Sequence, residues 1–381
     1  MNEDHRIGSS PETQLAIKPA RQYYLDYAKV SAIIFMILVH VFWKLGCSFE
    51  EPVGYVINSV LGGFMTAPVF MTAMGVGFSL TETAAPSQFM HRGLHILLLA
   101  YLLNVVRDLP LAVYDVAAEG FSAMAHELLC EFLQGDILQF AGLAIFFFGV
   151  LKKLRLSRGA ILAVACLMSL TGSLIPAILS DSIPLNATVG LFIFVGLSDE
   201  AIMCFPLFTW FIFPAFGYWL SGILREDARR EKLFKLTLIP CFLIALAGSV
   251  TEMKYNVFMM SSDVDAYYYH MLSHDALISL CYVVFCFGLF FFISRRLSEK
   301  VNRFFVVLSD SLNLIYLIHW PLIYWIVLFM VRLGHVEFSN VNGFLISAAV
   351  AVIAVSLAVY GKKQIRSKLR RKPDSILRYL K

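Results

Sequence analysis

Two ionisable side chains, Lys29 and His40, interrupt an apolar run near the start of the chain. Because an α-helix turns about 100° per residue, their spacing of eleven positions leaves them about 20° apart around the helix and about 16 Å apart along it. Histidine suits proton transfer, since its ordinary pKa of about 6.5 allows it to take up and return a proton near neutral pH. Asp26, three residues before Lys29, predicts a helical ion pair. These residues favour a functional site, although a lysine extended toward the membrane surface and a packed histidine remain the alternatives.

A second set of polar residues lies near the C-terminus. Tyr316 and His319 are three positions apart and therefore share one helical face, while Pro321 frees the backbone carbonyl four residues before it. This pattern predicts a bent polar site, and the alternative is an aromatic belt at the membrane surface with a histidine bonded to a carbonyl.

A third polar group, Gln134-Gly-Asp-Ile-Leu-Gln139, places Asp136 and Gln139 on one face of a helix. Both are candidate substrate-binding residues, but helix capping explains Asp136 equally well.

The composition indicates which elements must position these residues. Hydrophobic residues make up 59% of the 381-residue chain and charged residues 15%, with a mean hydropathy of +0.73, which excludes an ordinary soluble domain. Apolar segments long enough to cross the bilayer predict an all-α, polytopic bundle of about ten transmembrane helices. These predicted spans are residues 24–43, 55–80, 94–109, 132–151, 159–179, 202–224, 233–250, 276–293, 312–331 and 342–360.

The basic residues predict the orientation of the bundle, because segments rich in Lys and Arg stay in the cytoplasm. Only Lys44, Arg107, Lys254 and Arg332 fall on the opposite side and Lys29 lies within the first span, so the other 26 of the 31 Lys and Arg residues are cytoplasmic. Both termini are therefore expected inside. We expect a cytoplasmic tail at residues 1–20, a membrane domain at 21–361 and a basic cytoplasmic tail at 362–381. Residues 189–197 are apolar but too short to span, and they predict an interfacial or re-entrant segment.

Several functional classes receive no support from the sequence. The net charge of +4 follows from basic loops beside anionic lipid, so no nucleic-acid partner is expected. The seven cysteines form no CxxC pair, and no metal site is expected.

The residues also resemble a known family. Two segments resemble the opening of the acyltransferase-3 group of the transmembrane acyltransferase superfamily. The first is Leu25-Asp26 followed by a basic residue, ten residues and His40, and the second is Ala67-Pro-Val-Phe-Met-Thr-Ala-Met-Gly-Val-Gly-Phe-Ser-Leu80. The segment Ser311-Leu-Asn-Leu-Ile-Tyr-Leu-Ile-His-Trp-Pro321 resembles the last signature of that group. The heparan-glucosaminide N-acetyltransferase branch is similar at two further segments, Gly135–Gln139 and Phe205–Gly217.

The resemblance implies transfer of an acyl group, usually acetyl from cytoplasmic acetyl-CoA, to a hydroxyl or amine of a carbohydrate or glycolipid on the far side of the membrane. His40 takes the place of the catalytic histidine, with His319 and Tyr316 as further catalytic candidates, and Lys29 and Arg92 are the candidate CoA contacts. His91 and His95 stand where the family commonly has arginines. A bacterial cytoplasmic membrane is the expected location, and the sequence leaves the oligomeric state open.

A proton-coupled transporter or exporter is the competing interpretation. In that case His40, His319, Asp136 and Lys29 would form a proton relay rather than an active site. Acetyl-CoA hydrolysis or transfer by purified protein separates the two classes.

Overall fold

The computed structural model describes residues 21–49, 52–81, 83–175, 178–180, 182–196, 203–255 and 269–371. The predicted N-terminal tail at residues 1–20 and the second half of the predicted C-terminal tail, residues 372–381, lie outside the described residues.

The described chain is a bundle of α-helices with two π-helical segments, Val56–Phe64 and Val327–Arg332, and one pair of two-residue parallel strands. The strands are β1 (Ile178–Leu179) and β2 (Val195–Gly196). The α-helices are α1 (Tyr23–Lys44), α2 (Pro52–Tyr55), α3 (Ala67–Leu80), α4 (Pro86–Glu119), α5 (Phe121–Leu133), α6 (Ile137–Lys153), α7 (Arg158–Leu174), α8 (Ile183–Val189), α9 (Leu207–Trp210), α10 (Ile212–Leu224), α11 (Asp227–Tyr255), α12 (Ser273–Ser294), α13 (Glu299–Ile326) and α14 (Asn340–Arg371).

The predicted helical membrane fold is confirmed. Among the described residues, eight helical segments are long and apolar enough to cross a bilayer, and they match eight of the ten predicted spans. The other two predicted spans are α6 and α7, which have 17 residues each and are therefore about 26 Å long. α6 and α7 are consecutive, so two crossings or none leave the rest of the chain on the same side of the membrane. The predicted side of every loop outside this pair therefore does not depend on whether α6 and α7 cross.

Two irregular segments have identifiable causes. The second span breaks at residues 65–66, directly before α3, where Pro68 occupies the first turn, a position at which its missing N–H breaks no helical hydrogen bond. The short apolar segment at residues 189–196 forms no long helix, since α8 ends at Val189 and the chain then pairs β2 with β1.

The first helix is the centre of the bundle. α1 packs against α3, α12, α13 and α14. In its most apolar stretch of 18 residues, 67% of the residues are buried, compared with 17% in the corresponding stretch of α11. A polar side chain on a helix surrounded on several sides is favoured where a neighbouring helix provides a partner, and His40 has one in His319 of α13.

Helices α4 and α6 approach each other closely because two glycines face each other. A Cβ on Gly93 would lie 2.6 Å from the Gly142 carbonyl oxygen, and one on Gly142 would lie 2.9 Å from the Gly93 carbonyl oxygen. Small residues allow such backbone contact between membrane helices. The contact fixes the position of Arg92, the residue that precedes Gly93.

Charged side chains join α1, α13 and α14 at the end of the bundle that carries the N-terminus of α1. Arg21 donates to Asp26 at 2.8 and 2.9 Å and to Asp310 at 2.8 Å. The contact with Asp26, above all, raises the pKa of Arg21. The expected Asp26–Lys29 ion pair is therefore wrong: Asp26 pairs with Arg21, whose guanidinium matches both carboxylate oxygens.

Candidate active site

The centre of the candidate site is a pair of histidines. Nδ1 of His40 in α1 lies 3.2 Å from Nε2 of His319 in α13. His319 is fully buried, whereas His40 is only partly enclosed. Tyr316 lies one turn before His319 with the two rings 5.2 Å apart, which confirms that these residues share a face.

The hydrogen bonds determine which nitrogen of each neutral ring carries the proton. His319 Nδ1 lies 2.6 Å from the backbone oxygen of Tyr316, and because a carbonyl oxygen only accepts, this nitrogen must donate. Nε2 of a neutral His319 is then an acceptor, so Nδ1 of His40 must donate to it. The remaining nitrogen of His40, Nε2, therefore carries a free lone pair, which is the form that a base or nucleophile requires.

Trp320 covers one face of His40. Its ring stacks on the imidazole with centroids 4.1 Å apart, and it is only 4% exposed. The Trp320 indole N–H has no hydrogen-bond acceptor among the described residues. Arg107 of α4 contacts the same indole, with its Cζ 5.2 Å from the ring centroid. Sequence reasoning assigned no role to Trp320, although the residue follows His319 directly.

Asp136 and Gln139 begin α6 and connect it to α13. Asp136 accepts from the Tyr316 hydroxyl at 2.9 Å and from the Ile137 N–H, while Gln139 Oε1 accepts from the Asp136 N–H. This is a reciprocal capping arrangement. Gln139 is 2% exposed, and its amide donates to the Gln134 backbone oxygen at 3.1 Å. The prediction that Asp136 and Gln139 contact substrate stays a prediction; in the structure their polar groups bond to neighbouring protein atoms.

The loop before α6 packs against the segment around Met203. A Cβ on Gly135 would meet the flexible thioether end of the Met203 side chain, and the Gly135 carbonyl accepts from the Cys204 N–H at 2.8 Å. The backbone hydrogen bond therefore holds this segment against the loop, next to Asp136.

A cavity of about 300 Å³ lies beside this site, between α1, α3, α4, α6 and α13. Lys29, Arg92 and Tyr316 are among its lining residues, and most of the others are apolar. Neither His40 nor His319 lines the cavity. Tyr316 lines it and also contacts the His319 ring, so Tyr316 is the predicted catalytic residue that lies between the cavity and the two histidines. Lys29 and His40 both approach α13, in agreement with their predicted common face.

Both predicted cofactor contacts, Lys29 and Arg92, line this cavity. Neither has a hydrogen bond or an ion pair with any residue in the described part of the chain. His91 and His95 are exposed, and their Nδ1 atoms bond to backbone oxygens one turn earlier in α4 at 2.8 and 2.7 Å. The two basic side chains are therefore available to an anionic ligand.

A buried charged cluster at the opposite end of the site was not predicted. Arg107 is 2% exposed and donates to Asp108 at 2.9 and 3.0 Å, to Gln134 at 2.9 Å and to Glu131 at 3.3 Å. From the sequence, Arg107 is counted only among the four basic residues on the far side of the membrane. The useful signal was its position inside an apolar segment, where an ionisable residue requires a partner.

Comparison with protein families identifies the chain. The model of the heparan-α-glucosaminide N-acetyltransferase catalytic family matches residues 21–260, which is more than half of the sequence. The chain belongs to this family. The match includes Lys29, His40, Arg92 and the α6 cap. No curated protein and no solved structure matches the chain.

Family membership supports a membrane-embedded acyltransferase, the class that the sequence motifs indicate. The family model that matches is that of the heparan-glucosaminide branch and not that of the acyltransferase-3 group. His319 and Tyr316 lie beyond the matched residues, and it is the geometry that brings them beside His40.

Proposed function

We propose that the protein transfers an acyl group, in the first place acetyl from acetyl-CoA, to a hydroxyl or amine of a carbohydrate or glycolipid on the far side of the membrane. The observation that carries the proposal is the position of two residues of α13. Tyr316 lines the cavity that Lys29 and Arg92 also line, and His319 lies against His40. The bacterial cytoplasmic membrane is the proposed location. The likeness of residues 311–321 to the last signature of the acyltransferase-3 group supports the same class of reaction for this chain.

The chemistry of the cavity fits the donor. CoA carries phosphates at one end and a long, weakly polar arm that ends in the thioester. Lys29 and Arg92 would bind the phosphates by charge-assisted hydrogen bonds, and the apolar walls would receive the arm. Both cations belong to the end of the bundle that the basic loops mark as cytoplasmic, where acetyl-CoA is present.

His40 is the proposed base. Its free Nε2 would take the proton of the acceptor hydroxyl or amine as that atom attacks the thioester carbonyl carbon. As the C–S bond breaks, the same proton would return to the departing thiolate, which leaves as the thiol. Alternatively Nε2 would attack the thioester carbonyl first and expel the CoA thiolate. The acylated His40 would then pass the acyl group to the acceptor, whose proton would go to the thiolate. In both routes the His40 ring becomes cationic or acylated while Nδ1 still donates to His319.

His319 and Trp320 would support this step in different ways. Both ring nitrogens of His319 are engaged, one by His40 and one by the Tyr316 carbonyl, so its proposed part is to hold the tautomer and orientation of His40. The Trp320 N–H, which has no acceptor within the described residues, is the proposed donor to the oxyanion that forms at the thioester carbonyl.

The experiment is acyl transfer by the purified protein in liposomes. With labelled acetyl-CoA outside and a panel of amino sugars and glycans, we expect release of free CoA thiol together with label on an acceptor. The His40→Ala variant should release neither above background. If the wild-type protein moves protons or a sugar but never cleaves the thioester, the acyltransferase proposal fails and the transporter interpretation replaces it.

A further inference from the structure

A second cavity, of about 560 Å³, lies between α13 and α14. Its polar lining includes Lys362, Lys363, Arg366 and Asp310, and its apolar lining consists of Val307 and Val359. The two cavities lie on different faces of α13. The first cavity, beside Tyr316, is lined by Ser309, Leu312 and Asn313 of this helix. The second cavity is lined by Val307, Asp310 and Ser311.

The charges in this second cavity do not balance. Three basic side chains face one carboxylate, and Asp310 already receives a hydrogen bond from Arg21 at 2.8 Å. Lys362 donates to the Asp310 backbone oxygen, and Arg366 lies 3.7 Å from the Asp310 carboxylate. Lys363 is exposed and has no hydrogen bond or ion pair with any residue that the structure describes. The cavity therefore has an excess of positive charge available to an anion.

The position of the cavity selects the kind of anion. Val359 is in the last apolar turn of α14, and the basic residues begin three positions later, at Lys362. The neighbouring side chains that face outward are large and apolar: Phe304 is 58% exposed and Tyr360 is 62% exposed. Such surfaces of a membrane helix face lipid. The cavity thus lies where hydrocarbon meets water, on the side that the basic loops mark as cytoplasmic, which is the level of lipid phosphates.

We infer that this second cavity binds the phosphate of an anionic phospholipid, with its acyl chains along the outward faces of α13 and α14. Lys363 and Arg366 contact the phosphate, and Lys362 remains bonded to Asp310 and fixes the distance between the two helices. A zwitterionic lipid offers the same phosphate but adds a cation beside three basic side chains, so it binds less well.

The test compares lipids and variants by thermal unfolding of the detergent-purified protein. Phosphatidylglycerol should raise the unfolding midpoint of the wild type by about 3 °C or more above the effect of phosphatidylcholine at equal mole fraction. The Lys363→Gln/Arg366→Gln variant should lose that difference. Arg296→Gln/Lys300→Gln, which removes one exposed charge from the loop between α12 and α13 and one from the first turn of α13, is the matched control and should keep it.

Further measurements separate the lipid from other anions. Native mass spectrometry should detect fewer bound phosphatidylglycerol molecules on the variant than on the control. If inorganic phosphate or the deacylated headgroup raises the midpoint as much as the lipid does, the ligand is a free anion and the inference fails. It fails equally if the variant retains the lipid response. The variant should also keep the wild-type affinity for acetyl-CoA, and a loss of that affinity would assign these cations to the acyl donor.

The variant is compatible with folding because Lys362 and its contact with Asp310 are kept. If the double variant nevertheless does not fold, Lys363→Gln alone decides the question, since this side chain has no bonded partner in the described structure. It should weaken phosphatidylglycerol binding at least threefold, and unchanged binding would overturn the inference.

Discussion

The rings of His40 and His319 are 279 positions apart in the sequence, yet Nδ1 of the first lies 3.2 Å from Nε2 of the second. Because His319 Nδ1 donates to the Tyr316 carbonyl, the contact leaves Nε2 of His40 unprotonated in the neutral pair. The two residues therefore have unequal expected effects when replaced.

We expect His40→Ala to slow acyl transfer by roughly 10²–10⁴-fold, because the step loses its base or its acyl carrier. His319→Ala should have a smaller effect, since water near His40 partly replaces the lost orientation. Single-turnover transfer with bound acetyl-CoA measures the chemical step. The control is His126→Ala, an exposed histidine of α5. Transfer by folded His40→Ala at the wild-type rate would refute the mechanism.

Replacing either cation of the donor cavity should weaken acetyl-CoA binding without unfolding the protein. Each charge-assisted hydrogen bond contributes about 1.5–3 kcal/mol, so Lys29→Gln or Arg92→Gln should raise the Kd by roughly 10–100-fold. Calorimetry or equilibrium dialysis measures the Kd. Lys153→Gln, which removes an exposed charge at the end of α6, is the matched control. Equal affinity in all three variants would exclude this cavity as the CoA site.

The Tyr316 hydroxyl should contribute to stability through its contact with Asp136. Tyr316→Phe removes this hydrogen bond of 2.9 Å between α13 and the carboxyl group at the start of α6, and we expect a loss of about 1–3 kcal/mol. Tyr101→Phe is the control, because its hydroxyl has no partner among the described residues. Thermal unfolding in detergent compares the two, and equal midpoints would show that the Tyr316–Asp136 contact adds no stability.

Arg107 should be far more sensitive to replacement than an exposed arginine. Arg107→Met leaves Asp108 and the side-chain oxygen of Gln134 without their donor in a buried setting, so we expect a loss of about 3–5 kcal/mol. Arg107→Lys should recover only part of it, since an ammonium lacks the planar fork. Arg332→Gln, whose side chain lies 4.0 Å from Asp115 and is half exposed, should change little. Denaturation in detergent measures the difference, and similar losses at both arginines would contradict it.

Cysteine labelling in cells checks the predicted orientation. In a variant without native cysteines, a membrane-impermeant reagent should modify Glu337→Cys in intact cells, but Arg229→Cys only after lysis. Both side chains are exposed, so access depends on the side of the membrane alone. A probe within residues 263–268, which lie outside the described residues, should react like Glu337→Cys. The opposite pattern would reverse the topology.

Local sequence patterns determined much of the fold, because the bilayer requires every spanning segment to satisfy its own backbone hydrogen bonds. Long apolar runs could therefore be interpreted one at a time, and the positions of eight predicted spans hold. Helical periodicity likewise determined that Tyr316 and His319 share a face, because i and i+3 residues are neighbours in any α-helix.

Contacts between helices were decided by the tertiary structure alone. The spacing in the sequence predicted that Asp26 pairs with Lys29. In the bundle Arg21 bonds both carboxylate oxygens of Asp26 and also reaches Asp310 of α13. The stacking of Trp320 on His40 and the enclosure of Arg107 depend on how α1, α4 and α13 pack, which no local pattern encodes. The sequence by itself determined which residues are able to carry the chemistry. The packing of α1 against α13 decided that His40 has a neighbouring ring to fix its tautomer, because that hydrogen bond joins residues that only the folded bundle brings together.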